Sequence, residues 1–241
     1  MEAGGVPVRP VLDDVGRINL FFQVGARSEE PGRCPVVGCT VEEAGRQVAE
    51  VRGRLARASG VDPSLVEWRV AASLFHQGLV ARLLSPVLAA GLCHGVLLDA
   101  RGFDWRPGAP VELGTRQRTA ARVRGGAAGV ADWIQESVVS GVAARVEERL
   151  TDAGRVAPGL LRGNTAAALA GVVRALAADR PGVRADAESV ARDLLARPAL
   201  AGTGGYRGVD AEGLAVFRRT TCCLYYRLPG GGLCGDCALR D

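Results

Sequence analysis

The chain has 241 residues and a formal net charge of +4, and all 30 of its basic residues are arginine. That length allows one large domain or two small ones with a sizeable core, and a composition 48% hydrophobic and 23% charged is that of a soluble globular protein. The positive excess is local, with arginines 101, 106, 116, 118, 122 and 124 facing only Asp104 and Glu112 between residues 101 and 124. With few aromatics interleaved, nucleic-acid binding is not expected, and the stripe TRQRTAARVR reads as a solvated face. A docking patch for an acidic redox partner or an anionic ligand is the alternative.

The N-terminal stretch MEAGGVPVRPVLDDVGR lacks a basic start followed by an apolar core, so no signal peptide is expected. Residues 17–24, RINLFFQV, are rich in β-formers and predict a strand, followed by a loop containing RCPVVGC. Thr40 as N-cap, with Glu42 and Glu43 in the first turn, predicts a helix to about Ala58. Asp62-Pro63 then predicts the start of another helix, whose apolar face is Trp68, Ala72, Phe75, Leu79 and Leu83. Ser85-Pro86 is expected to kink or break it. The longest uncharged run, Leu83 to Leu98, is 16 residues, too short and interrupted for a membrane span. A cytoplasmic location is expected, where thiols stay reduced, and seven cysteines, an odd number, argue against a disulfide framework.

Pro-Gly punctuation between alternating segments predicts a hairpin or two short strands near residues 100–124. Helical periodicity returns with Ile134, Val138, Val142, Val146 and Leu150. It recurs with Leu169, Val172, Val173 and Leu176 after GNT, where Asn164 or Thr165 is expected to cap. A short helix near 186–196 ends before Pro198, and AGTGGYRG reads as a loop. The fold class expected is α+β, a mainly helical single globular unit, 1–241, with a few short strands. It divides into an N-terminal strand and helix region (1–60), a mainly helical core (61–205) and a cysteine-rich C-terminal segment (206–241).

That last segment contains TCCLYYRLPGGGLCGDC, in which Cys222, Cys223, Cys234 and Cys237 follow the spacing Cys-Cys-x10-Cys-x2-Cys. Two intervening residues let Cys234 and Cys237 face one point, and the PGGG run can fold that pair back onto the first. Four thiolates so placed suit zinc or an iron-sulfur cluster. Adjacent cysteines diverge and chelate a single tetrahedral ion awkwardly, whereas a two-iron cluster shares four thiolates between two centres. The vicinal pair therefore favours 2Fe-2S over zinc, with a vicinal disulfide or four idle thiols as the remaining reading.

The stretch FRRTTCCLYYRLPGGGLCGDC resembles the C-terminal motif of the FhuF-like siderophore-iron reductases. VAASLFHQGLVARLLSPVLAAGLCHG (70–95) and GNTAAALAGVVRAL (163–176) are similar to stretches of its actinobacterial members. The resemblance implies a 2Fe-2S cluster held by Cys222, Cys223, Cys234 and Cys237. It also implies an oxidoreductase acting on metal ions: one-electron reduction of siderophore-bound Fe(III) to Fe(II), with release of iron in the cytoplasm. No catalytic residue beyond the cluster is required. The partners implied are a ferric siderophore, with hydroxamates one candidate class, and an external donor such as a ferredoxin or flavoprotein. No Walker, NAD or flavin site is visible, and neither nucleic acid nor a transmembrane segment is expected. The competing readings are a zinc-stapled binding module and an iron-sulfur shuttle or sensor without siderophore specificity.

Arg218, Arg219 and Arg227 flank the cysteines, either as surface arginines or as cations that offset the cluster charge and raise its potential or attract an anionic siderophore. Tyr225 and Tyr226 are expected to alternate, one inside and one outside, the alternative being that they line the cluster or the substrate face. Cys34 and Cys39 read as free thiols, Cys93 as a small core residue, and His76 and His94 as core or surface histidines. Arg82 and Trp105 are the residues considered for a substrate pocket.

Overall fold

A computed structural model describes residues 5–26, 30–154 and 156–240. Its frame is helical: α1 (Val8–Val15), α2 (Val41–Ser59), α3 (Trp68–His94), α4 (Gly126–Ile134), α5 (Ala144–Ala153), α6 (Pro158–Asp179) and α7 (Arg184–Ala196). A π-helical stretch, Gln135–Ala143, joins α4 to α5 without a break. Short strands complete it: β1 (Val6–Pro7), β2 (Val24–Ala26), β3 (Cys34–Pro35), β4 (Val96–Leu97), β5 (Phe103–Trp105), β6 (Leu113–Thr115), β7 (Thr119–Arg122), β8 (Gly204–Val209) and β9 (Ala215–Arg219). They form sheets ordered β1-β7-β4, β2-β6-β5-β3 and β8-β9, antiparallel except for the parallel pair of β2 and β6. The expected α+β class, mainly helical, is what the structure has.

The helix from Thr40 is present, and its N-terminus carries a full capping box. Glu43 N–H donates to Thr40 Oγ1 at 3.2 Å, and Thr40 N–H donates to Glu43 Oε2 at 2.9 Å. The periodic valines after Ile134 are all buried through the π-helical stretch. The strand near 17–24 is not formed, because Asn19 accepts from Phe21 N–H through its side chain and from Phe22 N–H through its carbonyl, making a turn instead. Asp62-Pro63 opens only a 3-10 turn, Pro63–Leu65, and α3 begins at Trp68.

Pro86 does not break α3. The helix continues for two more turns because residues 83–91 are wholly buried against its neighbours, chiefly α6, and Ser85 Oγ donates to the Ala81 carbonyl at 2.7 Å. Packing thus outweighs the missing N–H. The GNT triplet caps nothing: α6 starts at Pro158, which suits the first turn, and leaves Asn164 and Thr165 buried in mid-helix. AGTGGYRG is not a loop throughout, since Gly204–Val209 pairs with β9, Gly204 lying opposite Arg219.

Candidate metal centre

The cysteine segment leaves the end of β9 and crosses the buried face formed by α3 and α6. Ser73 Oγ, on α3, donates to the Cys223 carbonyl at 2.7 Å and fixes the vicinal pair. Leu224 has φ 66°, a left-handed conformation unusual for leucine, which brings its N–H to Cys222 Sγ at 3.3 Å. At Gly231 a side chain would collide with the Tyr225 carbonyl, so only glycine lets the chain fold back there. The second pair lies in a turn closed by Cys237 N–H donating to the Cys234 carbonyl at 3.3 Å. Leu239 N–H reaches Cys237 Sγ at 3.3 Å. Arg219 N–H and the Arg218 guanidinium donate to the carbonyls of Asp236 and Cys237, at 3.1 and 3.0 Å, tying this turn to β9.

Cys223 and Cys234 place their sulfurs 3.5 Å apart. Two thiolates on one tetrahedral metal at a bond length of about 2.3 Å lie about 3.8 Å apart, so this pair already has the spacing of two ligands on a shared ion. Cys223 and Cys237 are buried, whereas Cys222 and Cys234 are partly exposed. Among the described residues no group of three or more Cys, His, Asp or Glu is gathered around one ion. The segment therefore shows one ready thiol pair and two sulfurs that each accept a backbone N–H, not a closed four-thiol cage. Burial first, then Cys223 and Asp236, push the Cys234 thiol up. A metal cation supplies the positive charge that reverses this preference. The donor set, soft sulfur with N–H···S bonds in a partly dry pocket, fits an iron-sulfur group.

Residues 219–239 match the FhuF 2Fe-2S C-terminal domain. The C-terminal segment is thus similar to the FhuF-type 2Fe-2S domain. Its cofactor is a 2Fe-2S cluster. The match covers neither of the upstream stretches 70–95 and 163–176, and no curated protein matches the chain. No helix of the described residues is long and apolar enough to cross a membrane.

Around the FhuF-type segment the three arginines part company. Arg227 pairs with Glu67 at 2.7 Å near the surface, Arg218 holds the Cys237 carbonyl, and Arg219 is 2% exposed. Its Nη2 donates to Asn164 Oδ1 at 2.5 Å and its Nη1 to Gln77 Oε1 at 3.3 Å. Asn164 in turn donates to Ser73 O and Oγ, at 2.9 and 3.0 Å, so one buried polar chain runs from Arg219 to the carbonyl of Cys223. Sequence reasoning missed this network. The alternation of β9 does point to it, because Ala215, Phe217 and Arg219 share the inward face. Tyr225 and Tyr226 do not alternate: both are exposed, since the chain makes a 3-10 turn there and no strand.

The other candidates lie elsewhere. Trp105 is fully buried and stacked on Phe75 with centroids 5.8 Å apart, so it belongs to the core. Arg82 lies 4.5 Å over the Phe21 ring and borders two clefts. Next to them is an apolar cavity of about 520 Å³, lined by Phe21, Leu74, Gln77, Ala81, Ala167 and Val172. Leu74 and Gln77 follow Ser73 on α3, so this cavity opens beside the network that anchors Cys223. Cys34 and Cys39 are thiols pushed up to about 11 and about 12, chiefly by burial and then by Glu43. Cys93, half-buried, is raised by burial. His76 is buried 3.4 Å from Glu147, and His94 pairs with Asp14 at 3.0 Å. Arg118, Arg122 and Arg124 of the basic stripe are exposed.

Proposed function

We propose that this protein is a ferric-siderophore reductase of the cytoplasm, in which Cys222, Cys223, Cys234 and Cys237 hold the 2Fe-2S cluster. The observation that carries the reading is the Cys-Cys-x10-Cys-x2-Cys segment, matched as an FhuF 2Fe-2S domain and with Cys223 and Cys234 already at 3.5 Å. When bound, the cluster supplies a one-electron carrier whose potential depends on hydrogen bonds and exposure. The chain's own residues set both. Leu224 and Leu239 direct N–H groups at Cys222 and Cys237, while Ser73 and Arg218 hold the carbonyls of Cys223 and Cys237. Partly exposed Cys222 and Cys234, beside exposed Tyr225, Tyr226 and Leu233, give a separate electron donor a surface to approach.

The substrate chemistry is simple. Siderophores hold Fe(III) with hard oxygen donors; one electron from the external donor gives Fe(II), which those donors grip less tightly and exchange faster. Iron is released with the chelator intact, and no general acid or nucleophile is required. Each of Cys222→Ser, Cys223→Ser, Cys234→Ser and Cys237→Ser is expected to lose visible absorption and to lower reduction of a ferric trihydroxamate at least a hundredfold. The assay couples a reduced ferredoxin or flavoprotein to capture of Fe(II). Full turnover in all four variants contradicts the proposal. A cluster-loaded wild type that reduces no ferric chelate supports the shuttle or sensor instead.

A further inference from the structure

Arg33 and Arg219 are both buried guanidinium groups, and the fold treats them differently. Arg33, 6% exposed in its side chain, has a carboxylate partner in Asp104 at 2.5 Å. Arg219, 2% exposed, has none: its partners are the amide oxygens of Asn164 and Gln77, and its Nε, also buried, has no hydrogen bond. No carboxylate among the described residues pairs with it. A lone buried cation is costly, and buried charges are as a rule paired. Amide dipoles offset part of that cost and leave the net charge in place. Gly163 on α6 lies close to this group: a Cβ there would collide with Thr221 and stand 3.4 Å from Arg219 Nη2.

The position of this charge is tied to the cysteines. The chain Arg219–Asn164–Ser73–Cys223 is continuous, with bonds of 2.5, 3.0 and 2.7 Å, and Arg219 precedes Cys222 by three residues. We propose that Arg219 is the internal counter-cation of the cluster, held by Gln77 and Asn164, and that it favours the reduced form. The proposal rests on the assignment of the cluster to the four cysteines. A 2Fe-2S group with four thiolates is net negative and gains one further negative charge when it accepts an electron, so a fixed buried cation stabilises the reduced state more than the oxidised one. In this role Arg219 is a positioning and charge-setting residue; it transfers no proton and touches no substrate.

Three variants separate this role from a structural one. Gln77→Glu keeps the shape and puts a carboxylate on Arg219. Gln77 Nε2 makes no hydrogen bond of its own, so no other bond is lost. Arg219→Met removes the charge, and Arg219→Lys keeps it. The readout is the midpoint potential of the cluster-loaded protein, followed by visible absorption against mediators, with thermal unfolding of the metal-free protein beside it. Gln77→Glu and Arg219→Met are expected to lower the equilibrium constant for reduction about tenfold, which is 59 mV for one electron, and Arg219→Lys to stay within threefold of wild type. Metal-free Gln77→Glu is expected to melt no lower than metal-free wild type, because the lone cation has gained its partner.

A Gln77→Glu protein whose equilibrium constant for reduction lies within threefold of wild type overturns the proposal, as does a metal-free Gln77→Glu protein that melts lower. If Arg219→Met takes up no cluster, Gln77→Glu alone decides. A wild type without iron and sulfide after anaerobic reconstitution contradicts the cluster assignment itself, and shows it before any variant is made.

Discussion

Cys34 and Cys39 share the chain with the four cysteines proposed as cluster ligands, yet burial and Glu43 keep them as thiols pushed up to about 11 and about 12. Nucleophilic attack needs the thiolate, and a thiol near 11 is ionised to only about one part in a thousand at pH 8. Iodoacetamide at pH 8 is therefore expected to leave both unmodified in the cluster-loaded protein. Labelling should rise as pH is taken above 10, read by mass spectrometry; rapid labelling at pH 8 contradicts the geometry at these residues. Single residues also show where sequence reading stops. Cys222, Cys223, Cys234 and Cys237 announce themselves because their chemistry lies in a local spacing. Arg219 was legible only as one of three arginines beside them; its burial was not, because its partners Asn164 and Gln77 lie 55 and 142 positions away, and only the fold brings them together.

Elements divide the same way. The start of α2 was legible because a capping box is a local device of Thr40 and Glu43. Thr40→Ala is expected to cost about 1 kcal/mol. The melting temperature should fall by about 2–4 °C, measured by circular dichroism, and an unchanged value contradicts the cap. Of the kink or break expected at Pro86 the break did not form, and neither Asn164 nor Thr165 caps a helix, for one reason: these residues sit where α3 and α6 bury each other. Close packing along that contact keeps α3 helical despite the missing N–H and turns a capping residue into an internal anchor. The strand at 17–24 failed because Asn19, a turn-former, competes with the β-formers around it.

Across the whole molecule, the helical frame and the cysteine segment are stabilised separately. The frame buries one large apolar cluster that includes α3, α6 and α7, whereas among the described residues 220–239 only Leu228 joins it as a buried residue, and polar bonds from Ser73 and Arg218 hold the carbonyls of Cys223 and Cys237. Removing the cluster is thus expected to open residues 220–239 while α3 and α6 stay closed. Hydrogen exchange should rise at least tenfold in that segment after chelation and change little in the two helices; uniform loosening contradicts a segment docked on a prefolded frame. Fold class and metal chemistry were legible at this scale, since composition, periodicity and one dense cysteine motif carry them. The polar contacts that join segment to frame were not, because each couples residues distant in sequence.

The most direct measurement is iron, sulfide and zinc content, with a visible spectrum, on protein purified without oxygen. A bound 2Fe-2S cluster gives about two irons and two sulfides per chain, and a red-brown colour bleached by dithionite. One zinc per chain in a colourless protein, unchanged after anaerobic reconstitution with iron and sulfide, contradicts it.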